Sequence, residues 1–145
     1  MRSTSISFTK FKECLNQWIQ LSKKGEQCLS QQVLGQPTTD LEQIISQIKQ
    51  VLDTMFEEYT NAVSHLNLKE TLESYDDNSN SIPEELTLMR YCVAMYNQEY
   101  MVKECICGVA SSEGFTTQQH LAGSVALWKS ESYLDEEIQQ KIKQL

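Results

Sequence analysis

The sequence has little of what nucleic-acid binding requires and few of the residues that interrupt helices. Its 145 residues include 12 Lys and Arg against 20 Asp and Glu, which gives a net charge of −8 at pH 7. Duplex DNA and RNA are bound through a basic face, so this balance argues against direct nucleic-acid binding. Only five Gly and two Pro occur, and they punctuate the chain rather than fill it. Long helices are therefore possible over most of its length.

Long apolar runs are also missing. No stretch approaches the roughly 20 apolar residues of a membrane span, and the segment MRSTSISFTKF lacks the apolar core of a secretory signal. We therefore expect no membrane association and a location in the cytoplasm and the nucleus. In that setting the five cysteines are expected to be free thiols buried in helices. They are Cys14, Cys28, Cys92, Cys105 and Cys107.

Groups that carry catalysis or hold a metal ion are sparse. His65 and His120 are the only two histidines, and they fall on different predicted helices. Cys105 and Cys107 are two positions apart, which on a helix turns their side chains about 200° from each other. The sequence has no phosphate-binding or dinucleotide-binding glycine motif. We therefore expect that the protein is not an enzyme and that it has no metal site and no cofactor. A small enzyme built around His65 or His120 is the weakest of the hypotheses about its function.

What the sequence does contain is an unbroken heptad repeat. Between Leu41 and Leu66 the apolar residues recur at alternating steps of four and three. The repeat predicts a helix with a narrow apolar seam that packs against another helix. The seam comprises Leu41, Ile45, Ile48, Leu52, Met55, Tyr59, Ala62 and Leu66.

Such a seam can form the core of a bundle within one chain or an interface with a partner. The predicted apolar surface is larger than a chain this small covers alone. It comes from the long second helix, from the aromatic residues of the first helix, and from the third helix, which has two apolar faces. Large uncovered apolar patches usually mark interfaces. We therefore assign a partner interface to Leu41, Ile45, Ile48, Leu52, Met55, Tyr59 and Leu66.

Five helices are predicted in one domain that spans residues 1–145. Their expected ranges are 7–32, 40–72, 82–110, 117–128 and 133–144. Capping boxes at Thr39 with Glu42, Ser81 with Glu84 and Thr116 with Gln119 support three of the starts. Gly25 within the first helix predicts a close approach of another backbone or a kink.

The fold class that follows is all-α. We expect a long antiparallel helical hairpin or coiled-coil bundle with short C-terminal helices. Large aromatic side chains dominate burial, so Trp18, Tyr96, Trp128 and Tyr133 are expected to anchor the core.

Three segments of the chain share an order and spacing with a known family. They are Leu15-x-x-Trp18-x-x-Leu21-x-x-x-Gly25, the seam from Leu41 to Leu66, and Tyr96-x-x-Glu99-x-x-x-Lys103 followed by Trp128-x-x-x-x-Tyr133. Together they resemble the cyclin-dependent kinase 2-interacting protein family over most of the chain. The chain is shorter than vertebrate members in the N-terminal extension and in the loop before the third helix.

The resemblance implies a non-catalytic adaptor. It implies pairing with a second small helical subunit, of the AFG2-interacting ribosome maturation factor type, in an assembly of AAA+ ATPases. That assembly acts in large ribosomal subunit maturation and in DNA replication and genome maintenance, and the resemblance also implies association with a cyclin-dependent kinase. Two alternatives stay open: membership of the sister family of that second subunit, and a coiled-coil tether of the kinetochore or vesicle-complex type without an ATPase.

Overall fold

The computed structural model describes residues 7–72 and 84–145, with the backbone alone for residues 66–72. The described chain is α-helical and contains no strand. Its helices are α1 Thr9–Ser30, α2 Asp40–Leu72, α3 Glu84–Ser112, α4 Gln118–Ser130 and α5 Glu136–Lys143. The expected all-α fold, with long helices followed by short C-terminal ones, is confirmed.

Helices α1 and α2 form an antiparallel hairpin. Burial first, and the nearby charge of Glu58 second, raise the pKa of the Cys14 thiol to about 11. Burial and then the charge of Asp40 raise the pKa of Cys28. The early part of α1 therefore lies beside the later part of α2, and the end of α1 lies beside the start of α2.

Helix α3 runs antiparallel to α2 by the same kind of evidence. The charge of Glu42, after burial, contributes to the raised pKa of Cys107. Burial, then Glu104 and then Asp53 raise the pKa of Tyr100. Moving forward along α2 from Glu42 to Asp53 thus moves backward along α3 from Cys107 to Tyr100.

The apolar seam of α2 lies inside the core of the chain itself. Because α1 and α3 both pack on α2, they cover its seam, which corresponds to the intrachain alternative. Leu41, Ile48 and Met55 are 0% exposed, and Ile45 and Leu52 are buried. Tyr59 is half-buried at the edge of this core, and the Leu66 side chain lies outside the described residues. Most residues of the expected partner interface are therefore buried against other helices of the same chain.

The starts of α4 and α5 differ from those that the local sequence predicts. The predicted cap of α4 at Thr116 is wrong by one residue, because Thr117 has extended backbone angles and its Oγ1 accepts the N–H of His120 at 3.0 Å. Helix α5 begins at Glu136 rather than 133, with Asp135 Oδ1 capping it. The Ser81 capping box lies outside the described residues.

A loop contact closes one end of the bundle. The N–H of Gly35 donates to the carbonyl of Phe115 at 2.7 Å, and the N–H of Thr38 donates to the carbonyl of Ala110 at 2.8 Å. Gly114 has φ +76°, and a Cβ there would lie 2.7 Å from the carbonyl oxygen of Gln36. Only glycine fits both requirements, so the turn before α4 is fixed against the α1–α2 loop.

Among the helices of the described residues, none combines the length and the apolar character that crossing a bilayer requires.

Candidate functional site

A cluster of buried polar groups joins α1, α3 and the C-terminal helices. At its centre Lys103 of α3 has a side chain with no solvent exposure. Its Nζ donates to the backbone carbonyl of Trp128 at 2.7 Å and lies 3.2 Å from Glu131 Oε2. The same ammonium lies 4.2 Å from the centre of the Trp128 ring. A buried cation needs such partners, because burial removes its hydration. Burial lowers the pKa of Lys103, and the charge of Glu131 opposes that shift.

Glu131 gathers donors from two helices on one carboxylate oxygen. Besides the ion pair with Lys103, its Oε2 accepts the Trp18 Nε1–H at 2.8 Å and the Ser22 hydroxyl at 3.1 Å. Glu131 follows α4 with φ +43°, in the left-handed region. That region is uncommon for a residue other than glycine, and here the side-chain contacts hold the residue in it.

The two tryptophans complete the cluster. The Trp128 Nε1–H donates to the Ser22 carbonyl at 2.8 Å, and the Trp18 ring meets the Tyr96 ring edge-on at 4.8 Å between centroids. Trp18, Tyr96 and Trp128 are all at most 1% exposed.

Gly25 makes room for one of these rings. A Cβ at Gly25 would overlap the ring carbon Cζ2 of Trp128. The close approach expected at Gly25 is made by a side chain from α4 and not by another backbone, and α1 continues through this position.

Glu99 extends the cluster toward α5. It is 1% exposed, its Oε2 accepts the backbone N–H of Tyr133 at 2.8 Å, and its Oε1 has no hydrogen-bond partner. Burial raises the pKa of Glu99, although the Tyr133 N–H and Lys103 oppose the shift. Tyr133 is 53% exposed, so its assignment as a core anchor is corrected: its backbone N–H makes the hydrogen bond to the buried Glu99.

We call this cluster the clasp. It comprises Trp18, Ser22, Gly25, Glu99, Lys103, Trp128 and Glu131. Its hydrogen bonds and ion pair hold α4 and the turn that follows against α1 and α3. The motif residues that are far apart in sequence thus meet in space, and what they do together is fix the position of the C-terminal helices.

A second feature is an open apolar groove between α2 and α3. Its volume is about 460 Å³. Its lining residues are Lys49, Leu52, Asp53, Phe56, Tyr59, Arg90, Val93, Ala94 and Asn97. Phe56 is 58% exposed, so a large aromatic side chain stands in solvent on the groove wall. We call this feature the α2–α3 groove.

The charged groups of the groove differ in their pairing. Lys49 and Asp53 form an exposed ion pair one helical turn apart, with Nζ and Oδ1 at 3.0 Å. Arg90 is exposed and lies 5.3 Å from the centre of the Tyr91 ring. Among the residues that the structure describes, Arg90 forms no ion pair.

Sequence reasoning found only part of this groove. Leu52 and Tyr59 of the predicted interface contribute to its wall, whereas Phe56 and Arg90 were missed. Phe56 follows the seam residue Met55, so a signal was present: an aromatic residue at a position that the heptad pattern leaves to solvent.

The remaining candidates lie outside the clasp and outside the residues that line the groove. His65 is exposed on α2, and His120 stacks edge-on against Phe115 at 5.1 Å. Cys105 is exposed, which corrects the expectation of a buried thiol, while Cys107 is buried. Among the side chains that the structure describes, those of residues 7–65 and 84–145, no three His, Cys, Asp or Glu come together as metal ligands.

Comparison of the chain with protein-family models, with curated proteins and with solved structures finds no match. The family that the three motifs resemble therefore stays a prediction, and the two structural features stand on their geometry alone.

Proposed function

We propose that this chain is a non-enzymatic helical adaptor that docks a helix of a second small helical subunit in the α2–α3 groove. The observation that carries the proposal is the exposed Phe56 on the wall of an apolar groove. Apolar surface in contact with water costs free energy, about 25 cal/mol for each Å². Concave apolar surface of this kind usually marks a binding site.

The shape of the groove supports a helical occupant. Along α2 it runs from Lys49 to Tyr59, which at 1.5 Å per residue is about 15 Å, or close to three helical turns. Two antiparallel helices form its walls, and a third helix laid between them would extend the bundle by ordinary helix packing.

The assembly in which the adaptor acts is proposed from the motif resemblance. The docked pair recruits or regulates an AAA+ ATPase complex in large ribosomal subunit maturation and in DNA replication and genome maintenance, in the cytoplasm and the nucleus. A cyclin-dependent kinase is a further partner in this proposal. The alternative is a coiled-coil structural tether of the kinetochore or vesicle-complex type with no ATPase link, and co-purification of an AAA+ subunit with the tagged chain would distinguish the adaptor from the tether.

Two substitutions one helical turn apart separate folding from docking. Leu52→Asp places a charge in the core at a residue that is 5% exposed, so we expect it to unfold the protein, at a cost of about 3–5 kcal/mol. Phe56→Asp lies on the same helix at an exposed position, so we expect a stability change within about 0.5 kcal/mol.

The measurement is mass spectrometry of complexes captured with the tagged full chain, with circular dichroism as the folding control. We expect the wild-type chain to capture a small helical protein together with an AAA+ subunit, and Phe56→Asp to lose both while it stays folded. Equal capture by Phe56→Asp would exclude the groove as the docking site. A folded Leu52→Asp protein that kept its partner would contradict the assignment of Leu52 to the core and the groove wall.

A further inference from the structure

The α2–α3 groove carries an uncompensated positive charge in an acidic protein. The net charge of the chain is −8. The groove has two cations, Lys49 and Arg90, and one carboxylate, Asp53, which pairs with Lys49. Among the described residues Arg90 therefore has no carboxylate partner, and its guanidinium lies over the Tyr91 ring.

Arg90 is placed to act on whatever fills the groove. Arg90, Val93, Ala94 and Asn97 are spaced at i, i+3, i+4 and i+7, so they form one face of α3. Because α2 and α3 are antiparallel, Arg90 lies at the end of the groove to which α2 contributes Tyr59. Lys49 lies at the opposite end. An occupant would meet apolar surface along the groove and a guanidinium at one end.

We propose that the occupant of the α2–α3 groove is an amphipathic helix of another protein that carries a carboxylate for Arg90. Its apolar face covers Phe56, and an Asp or Glu at the edge of that face reaches the guanidinium. The inference rests on the proposed function, because both use this groove, and it adds the chemical character of the partner. Guanidinium groups suit this role because their planar donors match a carboxylate in two parallel hydrogen bonds.

Charge favours a different protein over a second copy of this chain. Self-association would bring together two chains that each have a net charge of −8. Electrostatic complementarity acts mainly through specificity and association rate, and in this groove it selects an acidic edge on an otherwise apolar helix. Arg90 thus decides which helices bind, and Phe56 decides whether any helix binds.

The test is a selection from a phage-displayed library of randomised helical peptides, carried out against the folded full-length chain. The baits are the wild-type protein, Arg90→Glu, Phe56→Asp and, as a matched control, Lys143→Glu. Lys143 is an exposed cation on α5, outside the residues that line the groove. Selected peptides are synthesised, and their affinities are measured by fluorescence anisotropy at two salt concentrations.

We expect the wild-type and Lys143→Glu baits to select peptides with an apolar stripe and an Asp or Glu beside it. Arg90→Glu should select Lys or Arg at the same position and weaken the acidic peptides about fivefold, the upper range for an exposed ion pair. Raising the salt concentration should reduce this difference.

The two proposals fail in different ways. If Arg90→Glu selects the same acidic peptides with unchanged affinity while Phe56→Asp loses them, the acidic preference is overturned and groove docking stands. If Phe56→Asp binds the selected peptides as well as the wild type does, groove docking itself is overturned. If sedimentation shows a dimer of the wild-type chain that Phe56→Asp abolishes, the occupant is a second copy and the inference is wrong.

Discussion

The seam of α2 and the clasp are both buried, but they use opposite chemistry. The seam is apolar, regular and contained in one helix, and its burial follows from the area removed from water. The clasp gathers polar groups from α1, α3 and the end of α4 around Lys103. A substitution in the seam removes only the apolar contacts of the replaced side chain. A substitution in the clasp that removes the partner of a buried charge leaves that charge without compensation. The clasp should therefore be the more sensitive region to a single substitution.

The largest effect is expected at Lys103. Lys103→Met removes the cation that faces Glu131 and the donor to the Trp128 carbonyl, which should lower the free energy of unfolding by about 3–5 kcal/mol. Lys141→Met is the control, because Lys141 forms only an exposed ion pair with Glu137, at 3.5 Å, and such pairs contribute about 0–1 kcal/mol. Urea denaturation measures both.

A double substitution tests whether the clasp acts as one unit. Lys103→Met with Glu131→Gln removes both members of the ion pair, so it should cost clearly less than the sum of the two single substitutions. Additive costs would show that Lys103 and Glu131 contribute independently, and the clasp would then resemble the seam.

The seam should lose stability in proportion to the volume removed. Ile48 is 0% exposed, so Ile48→Ala should cost about 2–5 kcal/mol through lost burial and the cavity it leaves. Gln47→Ala, at the exposed neighbouring position, should stay within about 0.5 kcal/mol. A cost below 1 kcal/mol for Ile48→Ala would mean that the seam is not packed as described.

Replacement of glycine by alanine should change the stability of the protein in opposite directions at Gly25 and Gly123. Gly25→Ala places a methyl group where the Trp128 ring lies, so we expect a loss of about 1–3 kcal/mol from overpacking. Gly123→Ala lies on α4 with nothing within 4 Å of the added Cβ. Its helix should gain about 1 kcal/mol from the higher propensity of alanine. Thermal denaturation measures the two signs, and a gain at both positions would remove Trp128 from contact with α1.

The smallest effect is a change in pH dependence at Glu99. Because burial raises the folded-state pKa of Glu99 from 4.5, the folded chain keeps this proton to higher pH than the unfolded chain. Stability from this group is therefore present below pH 4.5 and is lost as the pH rises through the folded-state pKa. Glu99→Gln should remove that part of the slope of unfolding free energy against pH, and an unchanged slope would contradict it.

The sequence predicted the features that depend on local pattern. Helical periodicity lies within each segment, so the all-α class was accessible, whereas the helix bounds differ from the predicted ones by up to three residues everywhere except in α2. Tyr133 was misassigned because spacing identifies a residue but not whether its ring or its backbone makes the contact. The bond from Trp18 to Glu131 joins residues 113 positions apart, and no local pattern reports such a pair.

The site was harder to predict for a related reason. A heptad repeat indicates that Leu41 to Met55 will be covered, but it does not say whether the covering helix belongs to the same chain. The exposure of Phe56 depends on how α3 lies across α2, which is a property of the packed bundle. The groove therefore could not be predicted from the sequence of α2 alone, because it depends on how the neighbouring helices pack.

Both tryptophans of the chain belong to the clasp. The protein thus contains its own optical reporter, and it reports on one region only. Separation of α4 from α1 would expose both indoles to water and shift their emission to the red, whereas Phe56→Asp, which changes an exposed side chain on the groove wall, would leave the spectrum unchanged. Detachment of the C-terminal helices can therefore be followed in solution without any label.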